Sequence, residues 1–438
     1  MHPGQRRLHF NVVESLELLW ILILGLPILL PGRFVPEAWH PLVIAALFLW
    51  WPGRFVQQWR ARPQGTRLPP PRSPLHWPLH LLIVWTLVTL WLWGAALVIW
   101  PVVGYLAWGI ALGVAFLHWP PAQRQPAWIA GFLLLAGCTL ALIAPPFVAW
   151  KEDFRLFRLP LYDWLLATRI DIGETIHANV LAGMLAVILP ILFALLLARS
   201  DNEPPTWPQA AWARGLFGLL FLYVLGLLVL TQSRGGYLGT AAALPLVIMM
   251  RWPRLWRLAP VIAVLAIGLV WWIGLPVVLE QLSQEGSLGG WQNRLEVWLA
   301  AGQALRDFAF TGIGLGAFDR VLPLLYPLPF AIESFPHAHN LLLQAGVDLG
   351  LPGLICFLAL LINVGVMALS LVRTATSSAL HRALAAGAAA SLVALLVHGI
   401  FDAAVWNVKL AFFPWLLYAL VTQLFLFSHR PESADLAH

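Results

Sequence analysis

Apolar runs long enough to cross a bilayer recur along almost the whole chain, and no other sequence feature constrains the fold as tightly. They cover residues 13–31, 38–52, 77–95, 97–118, 127–147, 177–198, 212–231, 235–250, 258–279, 341–372, 383–401 and 410–428. A helix needs about 20 mainly apolar residues to span the hydrocarbon core. Transmembrane strands would instead read as alternating segments of about ten residues. Only 11% of the 438 residues are charged, where a soluble domain carries roughly a quarter. The expected class is therefore an all-α polytopic membrane protein with about twelve transmembrane helices, forming a single membrane domain over residues 1–438.

Charge placement sets the orientation. With the N-terminus in the cytoplasm, 16 of the 26 Lys and Arg fall in inside segments, among them Arg6, Arg7, Arg54, Arg60, Arg62, Arg67, Arg72, Arg124 and Arg199. That bias favours cytoplasmic termini on both sides. Tryptophans at run ends, such as Trp20, Trp39, Trp77, Trp100, Trp119, Trp150 and Trp212, suit headgroup depth. The net charge of +6 is scattered over loops, so it reads as topology and membrane-lipid contact and not as a nucleic-acid surface. Cys138 and Cys356 both lie inside apolar runs and offer no disulfide or metal framework. The first run lacks a small-residue cleavage site and reads as a retained span.

Two outside segments are long, about 150–176 and 280–340. Within the second, residues 293–308 place Leu295, Trp298, Leu299, Gly302 and Leu305 at helical spacing, with Glu296, Gln303, Arg306 and Asp307 opposite. This predicts an amphipathic helix lying on the membrane or over the bundle. Gly312, Gly314 and Gly316 follow without the strand or spacing of a dinucleotide fingerprint, and read as a turn. Loops of this length in a compact protein are usually functional.

The chemistry-bearing residues gather at the ends of runs on that outer face. His337 and His339 directly precede an apolar run, and Asn340, Gln344 and Asp348 continue the polar side. Alternating histidines can be structural or can bind metal, but no further ligands stand nearby in sequence, so no metal is expected. Arg234 occupies a tight turn, Thr231-Gln232-Ser233-Arg234-Gly235-Gly236. Its guanidinium either marks a helix end or serves as a bidentate phosphate ligand, beside glycines that let a ligand approach. Arg169 precedes Asp171 and Glu174, with His177 and Asn179 opening the next run. Lys151, Arg155 and Arg158 are more generic and suit anionic headgroups.

Taken in order, Arg169 with Asn179, Ser233-Arg234-Gly235-Gly236, Arg294 and Trp298, Gly312-x-Gly314-x-Gly316-x-Phe318, and His339-Asn340 followed after nine residues by Gly350-x-x-Gly353 resemble the O-antigen ligase/polymerase superfamily. The resemblance covers roughly 165–405 closely and the first five runs only in hydropathy. It implies a metal-independent, cofactor-free membrane glycosyltransferase of the type C class in a bacterial inner membrane, with its active site facing the periplasm. The donor would be an undecaprenyl-diphosphate-linked glycan, and in the ligases the acceptor is the lipid A–core oligosaccharide. The family's catalytic histidine falls on His339 and its phosphate-binding arginine on Arg234, with Arg169 as a second diphosphate ligand. His337, Asn340, Gln344, Asp348, Arg294 and Asn179 are expected to support the site. No motif assigns a role to His337, Arg320 or Lys409.

These residue types suit transfer from a diphosphate. Arginines neutralise the leaving group, so a general acid is dispensable, and an imidazole near neutrality can take the acceptor proton. A protonated His339 contacting the diphosphate is the alternative. A polymerase, a protein O-oligosaccharyltransferase and a lipid-linked glycan flippase are the competing functions. A flippase would place its ionisable residues near the midplane or show inverted repeats. Here they cluster at one face.

Overall fold

The computed structural model describes residues 3–32, 34–60, 73–94, 99–151, 160–171, 173–198, 210–273, 291–330, 336–373, 378–406 and 408–429. Arg62, Arg67, Arg72, Arg155, Arg158, Arg199, Glu333 and residues 280–290 of the long loop lie outside them.

All twelve apolar runs fall on helices. In chain order these are α1 (Pro3–Leu29), α2 (His40–Leu47), α3 (Trp50–Arg60), α4 (His76–Trp93), α5 (Trp100–His118), α6 (Pro120–Arg124), α7 (Ala127–Ile143), α8 (Pro160–Ala167), α9 (Ala178–Leu196), α10 (Ala211–Leu230), α11 (Arg234–Arg251), α12 (Ala259–Ile273), α13 (Trp291–Asp307), α14 (Phe318–Leu325), α15 (Leu341–Arg373), α16 (Ala379–Phe401) and α17 (Phe412–Ser428). Six of them, α4, α5, α9, α10, α15 and α16, are long and apolar enough to cross a membrane. The run at 38–52 is divided between α2 and α3. Together these make an all-α polytopic membrane protein.

The bundle is organised around α9. It is apolar on every side and buried along 78% of its length, where α10 is buried along only 28%. A helix apolar all round belongs in the interior, and one with an exposed apolar face belongs against lipid. Small residues let α9, α11 and α16 approach closely. Gly387 of α16 meets the α9 backbone at Ile191, Gly239 of α11 meets the α16 backbone at Ala394, and Ser391 donates to the Val187 carbonyl. Close backbone approach at small residues is how helices associate without a hydrophobic driving force. In consequence the start of α9, the start of α11 and the end of α16 come together at one end of the bundle.

The described part of the segment before α15 packs over that same end. The buried face of α13 consists of Val297, Ala300, Ala301 and Ala304, which join Ile313, Phe318, Leu322, Ala338 and Val347 in a small core of their own. The expected leucine stripe is displaced. Leu295 is 43% and Leu299 56% exposed, because the alanine side lets the helix sit closer to its neighbours. A two-residue parallel bridge, Val148↔Ile176 and Ala149↔His177, ties the segment before α8 to the start of α9.

Candidate functional site

His339 and its neighbours occupy a turn fixed from several directions. Asn340 caps α15 by accepting from the Leu343 N–H at 3.0 Å, while its amide donates to the Ile400 carbonyl at 3.2 Å. The Gln344 side chain accepts from the Ala338 N–H at 2.6 Å, and the Trp298 indole donates to the Ala338 carbonyl at 2.8 Å. Asp348 is fully buried and accepts from the Gln344 amide and the Trp406 indole, each at 2.9 Å. Held this way, His339 has φ +47°. Left-handed backbone is uncommon outside glycine and persists where the surroundings over-determine it.

Below the turn, α15 breaks at Gly350, whose φ of +70° and close approach to the Phe310 carbonyl leave no room for a side chain. The break frees the Leu349 carbonyl to accept from Trp85 and the Leu351 N–H to donate to the Ala309 carbonyl, both at 2.7 Å. The Gly312–Gly316 turn is thereby joined to α15, with the Ile313 N–H donating to the Val347 carbonyl at 2.8 Å.

The chemical centre includes a residue that no sequence motif marked. Asp402, at the end of α16, is 3% exposed. Its Oδ2 lies 3.6 Å from His339 Nδ1 and its Oδ1 lies 3.6 Å from His337 Nε2. His337 Nδ1 accepts from the His339 N–H at 3.2 Å, so neutral His337 carries its proton on Nε2, facing Asp402. The two imidazoles are 4.3 Å apart. A third imidazole, His398, stands one turn before Asp402 and is buried between Gly183 and Gly235.

Electrostatics sharpen this arrangement. Burial first, then His339, His177 and Arg294, push His337 down to about 3, while Asp402 acts in the opposite sense. Burial alone would raise Asp402, yet His339, His337 and His398 hold its carboxyl well below the usual range. At neutral pH the centre is therefore an ionised carboxylate facing a neutral His337. The ligand atoms of His337, His339 and Asp402 lie within 4.8 Å of one another, so the fold supplies the acid that the sequence search for metal ligands lacked. A divalent ion or a shared proton would both suit that spacing.

Arg234 reaches the same segment from another side. It is the first residue of α11, with Ser233 capping through a 3.3 Å hydrogen bond from the Gly236 N–H. Gly235 packs against His398 and Phe401, so this helix start touches the stretch that ends in Asp402. Lys151, read from sequence as generic, donates to the Gln232 carbonyl at 2.8 Å, and Tyr162 hydrogen-bonds both Lys151 and Gln232. The start of a helix with its N–H groups and a guanidinium is suited to a phosphate.

The remaining candidates are distributed around this centre. Asn179 donates its N–H to His177 Nδ1 at the cap of α9, and its backbone lies against His398. Arg294, half-buried on α13, is close enough to influence His337 and His398. Arg169 and Arg320 are exposed, and no contact among the described residues joins Arg169 to the histidines. Glu174 ion-pairs with Lys409 and accepts from the Gly32 N–H, tying three loops together.

Fold and site thus define a polytopic all-α membrane protein with a histidine, carboxylate and arginine cluster at one end of its bundle. A family model described as O-antigen ligase matches residues 219–358, consistent with the O-antigen ligase/polymerase superfamily, whose members are glycosyltransferase-like enzymes. The matched stretch carries Arg234, Arg294, the Gly312–Gly316 turn and His339. Arg169, Asn179, His398 and Asp402 lie beyond it. A comparison with curated proteins returned no match.

Proposed function

We propose that this protein is an O-antigen ligase. In this reading it transfers a glycan from undecaprenyl diphosphate to a hydroxyl of the lipid A–core oligosaccharide, on the periplasmic face of the inner membrane. The chain acts as one membrane domain with both termini in the cytoplasm. The observation that carries the reading is the meeting of two unlike groups at the end of α16. The strained His339 turn and the Arg234 helix start both pack on the segment from His398 to Asp402.

The chemistry follows from those positions. Arg234 and the first N–H groups of α11 bind the diphosphate, with Arg294 and Arg169 adding charge as the leaving group develops it. The Asp402 carboxylate favours the His339 tautomer protonated on Nδ1, which leaves a lone pair on Nε2 for the acceptor hydroxyl. That oxygen forms its bond to the anomeric carbon as its proton passes to His339. The bond from the same carbon to the phosphate oxygen breaks, and the electron pair leaves on undecaprenyl diphosphate. A single displacement inverts the anomeric centre. His337 and Asp402 fix the base; Asn340, Gln344 and Asp348 fix the turn that carries it; Asn179 supports His398.

The test offers purified protein one undecaprenyl-diphosphate-linked glycan, with lipid A–core, free glycan chain and a Ser-rich acceptor protein in parallel. Product on lipid A–core alone is expected. Product on glycan would make the chain a polymerase, and product on protein an oligosaccharyltransferase.

A further inference from the structure

The helix ends farthest from the histidine cluster enclose a cavity that the transfer reaction does not use. Trp93, at the end of α4, and Val102, in the first turn of α5, meet Gly314 and Gly316 of the outer turn. The opposite ends of α4 and α5, at His76 and His118, therefore lie about 27 Å away, one helix length at about 1.5 Å per residue. There a cavity of about 590 Å³ opens between α2, α3, α4, α5 and α17. That volume lies within the range of ligand sites.

Its interior is apolar, walled by Phe48, Leu79, Val114, Leu117 and Leu426, and its rim carries the Arg54 guanidinium and hydrogen-bonding side chains. Arg54, His76, His80 and His118 line it, and no carboxylate lines it among the described residues. Glu17 sits behind the wall, 1% exposed, and ion-pairs with Arg54 so that the guanidinium is held in place. His80 and His118 each donate Nδ1–H to a carbonyl one turn back, His76 and Val114, which orients both rings. Two lining polar atoms have no hydrogen-bond partner among the described residues, the Trp51 indole N–H and the Oε1 of Gln423, a residue 2% exposed. Buried polar atoms are ordinarily satisfied, so these mark a guest that offers both an acceptor and a donor.

We propose that the cavity is a lipid site for one anionic glycerophospholipid of the phosphatidylglycerol type. An acyl chain fills the apolar interior. The phosphate accepts from Arg54 and Trp51, and a headgroup hydroxyl donates to Gln423. Phosphate alone would leave the apolar volume unfilled, and a neutral diacylglycerol would bring no phosphate to the Arg54 guanidinium and the Trp51 N–H.

The test uses full-length protein, delipidated in detergent. Native mass spectrometry and thermal unfolding are read while phosphatidylglycerol, phosphatidylethanolamine, diacylglycerol or inorganic phosphate is added. Wild type is expected to retain one phosphatidylglycerol and to be stabilised by it more than by any other addition. His80→Glu, at the exposed rim, should weaken that binding about five- to tenfold by placing a negative charge beside the headgroup. Leu426→Trp, which occupies the interior, should weaken binding of the lipid without introducing charge. Equal stabilisation by phosphatidylethanolamine or diacylglycerol would overturn the proposal, as would the full effect from inorganic phosphate. Wild-type binding in both variants would overturn it too.

Discussion

Asp402 holds two imidazoles with its two oxygens, His339 Nδ1 at 3.6 Å from Oδ2 and His337 Nε2 at 3.6 Å from Oδ1. The pair is unequal. His337 is tied by its other nitrogen to the His339 backbone, whereas His339 sits on a left-handed turn at the end of the bundle that Arg234 shares. That asymmetry is why His339 is assigned the proton transfer and His337 its support.

Asp402→Asn tests the carboxylate's part. An amide cannot favour a charged imidazole, so the base becomes weaker. Transfer is expected to fall by roughly 10²–10⁴, with donor binding retained. Full activity in this variant would reduce Asp402 to a packing residue.

Arg234→Lys keeps the charge and removes the planar fork. Donor-lipid binding and turnover should both drop about tenfold or more, with expression near wild type. A fully active lysine variant would leave Arg234 as a helix-end marker.

His337 makes a prediction about stability. Its folded value of about 3 lies below the ordinary 6.5, so between those pH values the unfolded chain binds a proton that the folded chain does not. Stability contributed by the neutral ring is therefore present above about pH 6.5 and is lost as pH falls toward 3. At pH 5 the loss is about 2 kcal/mol as an upper bound. Asp402 stays ionised at pH 5, since the neighbouring imidazoles hold its carboxyl well below the usual carboxylate range. The melting temperature of His337→Asn should decline less between pH 7 and pH 5 than that of wild type. Parallel declines would contradict the neutral state of His337.

Chelation separates two uses of the same three side chains. If His337, His339 and Asp402 serve proton transfer, EDTA leaves turnover unchanged. Loss of activity with EDTA and its recovery with a divalent ion would instead make them metal ligands.

The helices were legible in the sequence because length and apolarity are local properties, although the run at 38–52 is divided between two helices. Arg234 and His339 were legible as motifs at run ends. Asp402 was not, because its partners lie far back in the chain and are brought to it only by the close packing of α16 with its neighbours. A faint signal existed: Asp402 is the sole acidic residue between Ser378 and Ser428, one turn after His398. Lys151 looked generic because its target, the Gln232 carbonyl, is a backbone atom that no motif displays. The packing face of α13 was misplaced by one position since leucines suggest burial more strongly than alanines do. Here the alanines allow the closer approach.

The central claim is that His339 acts on the acceptor and not on the donor, and one comparison tests it most directly. Purified wild type and His339→Ala are assayed side by side for binding of the undecaprenyl-diphosphate-linked glycan and for its transfer to lipid A–core. Binding within about twofold of wild type, with transfer reduced by roughly 10²–10⁴, is the expected result. Donor binding lost in proportion to transfer would contradict it and make His339 a diphosphate ligand. The base would not then fall to Asp348, which already accepts from Gln344 and Trp406, nor to Glu174, which is paired with Lys409.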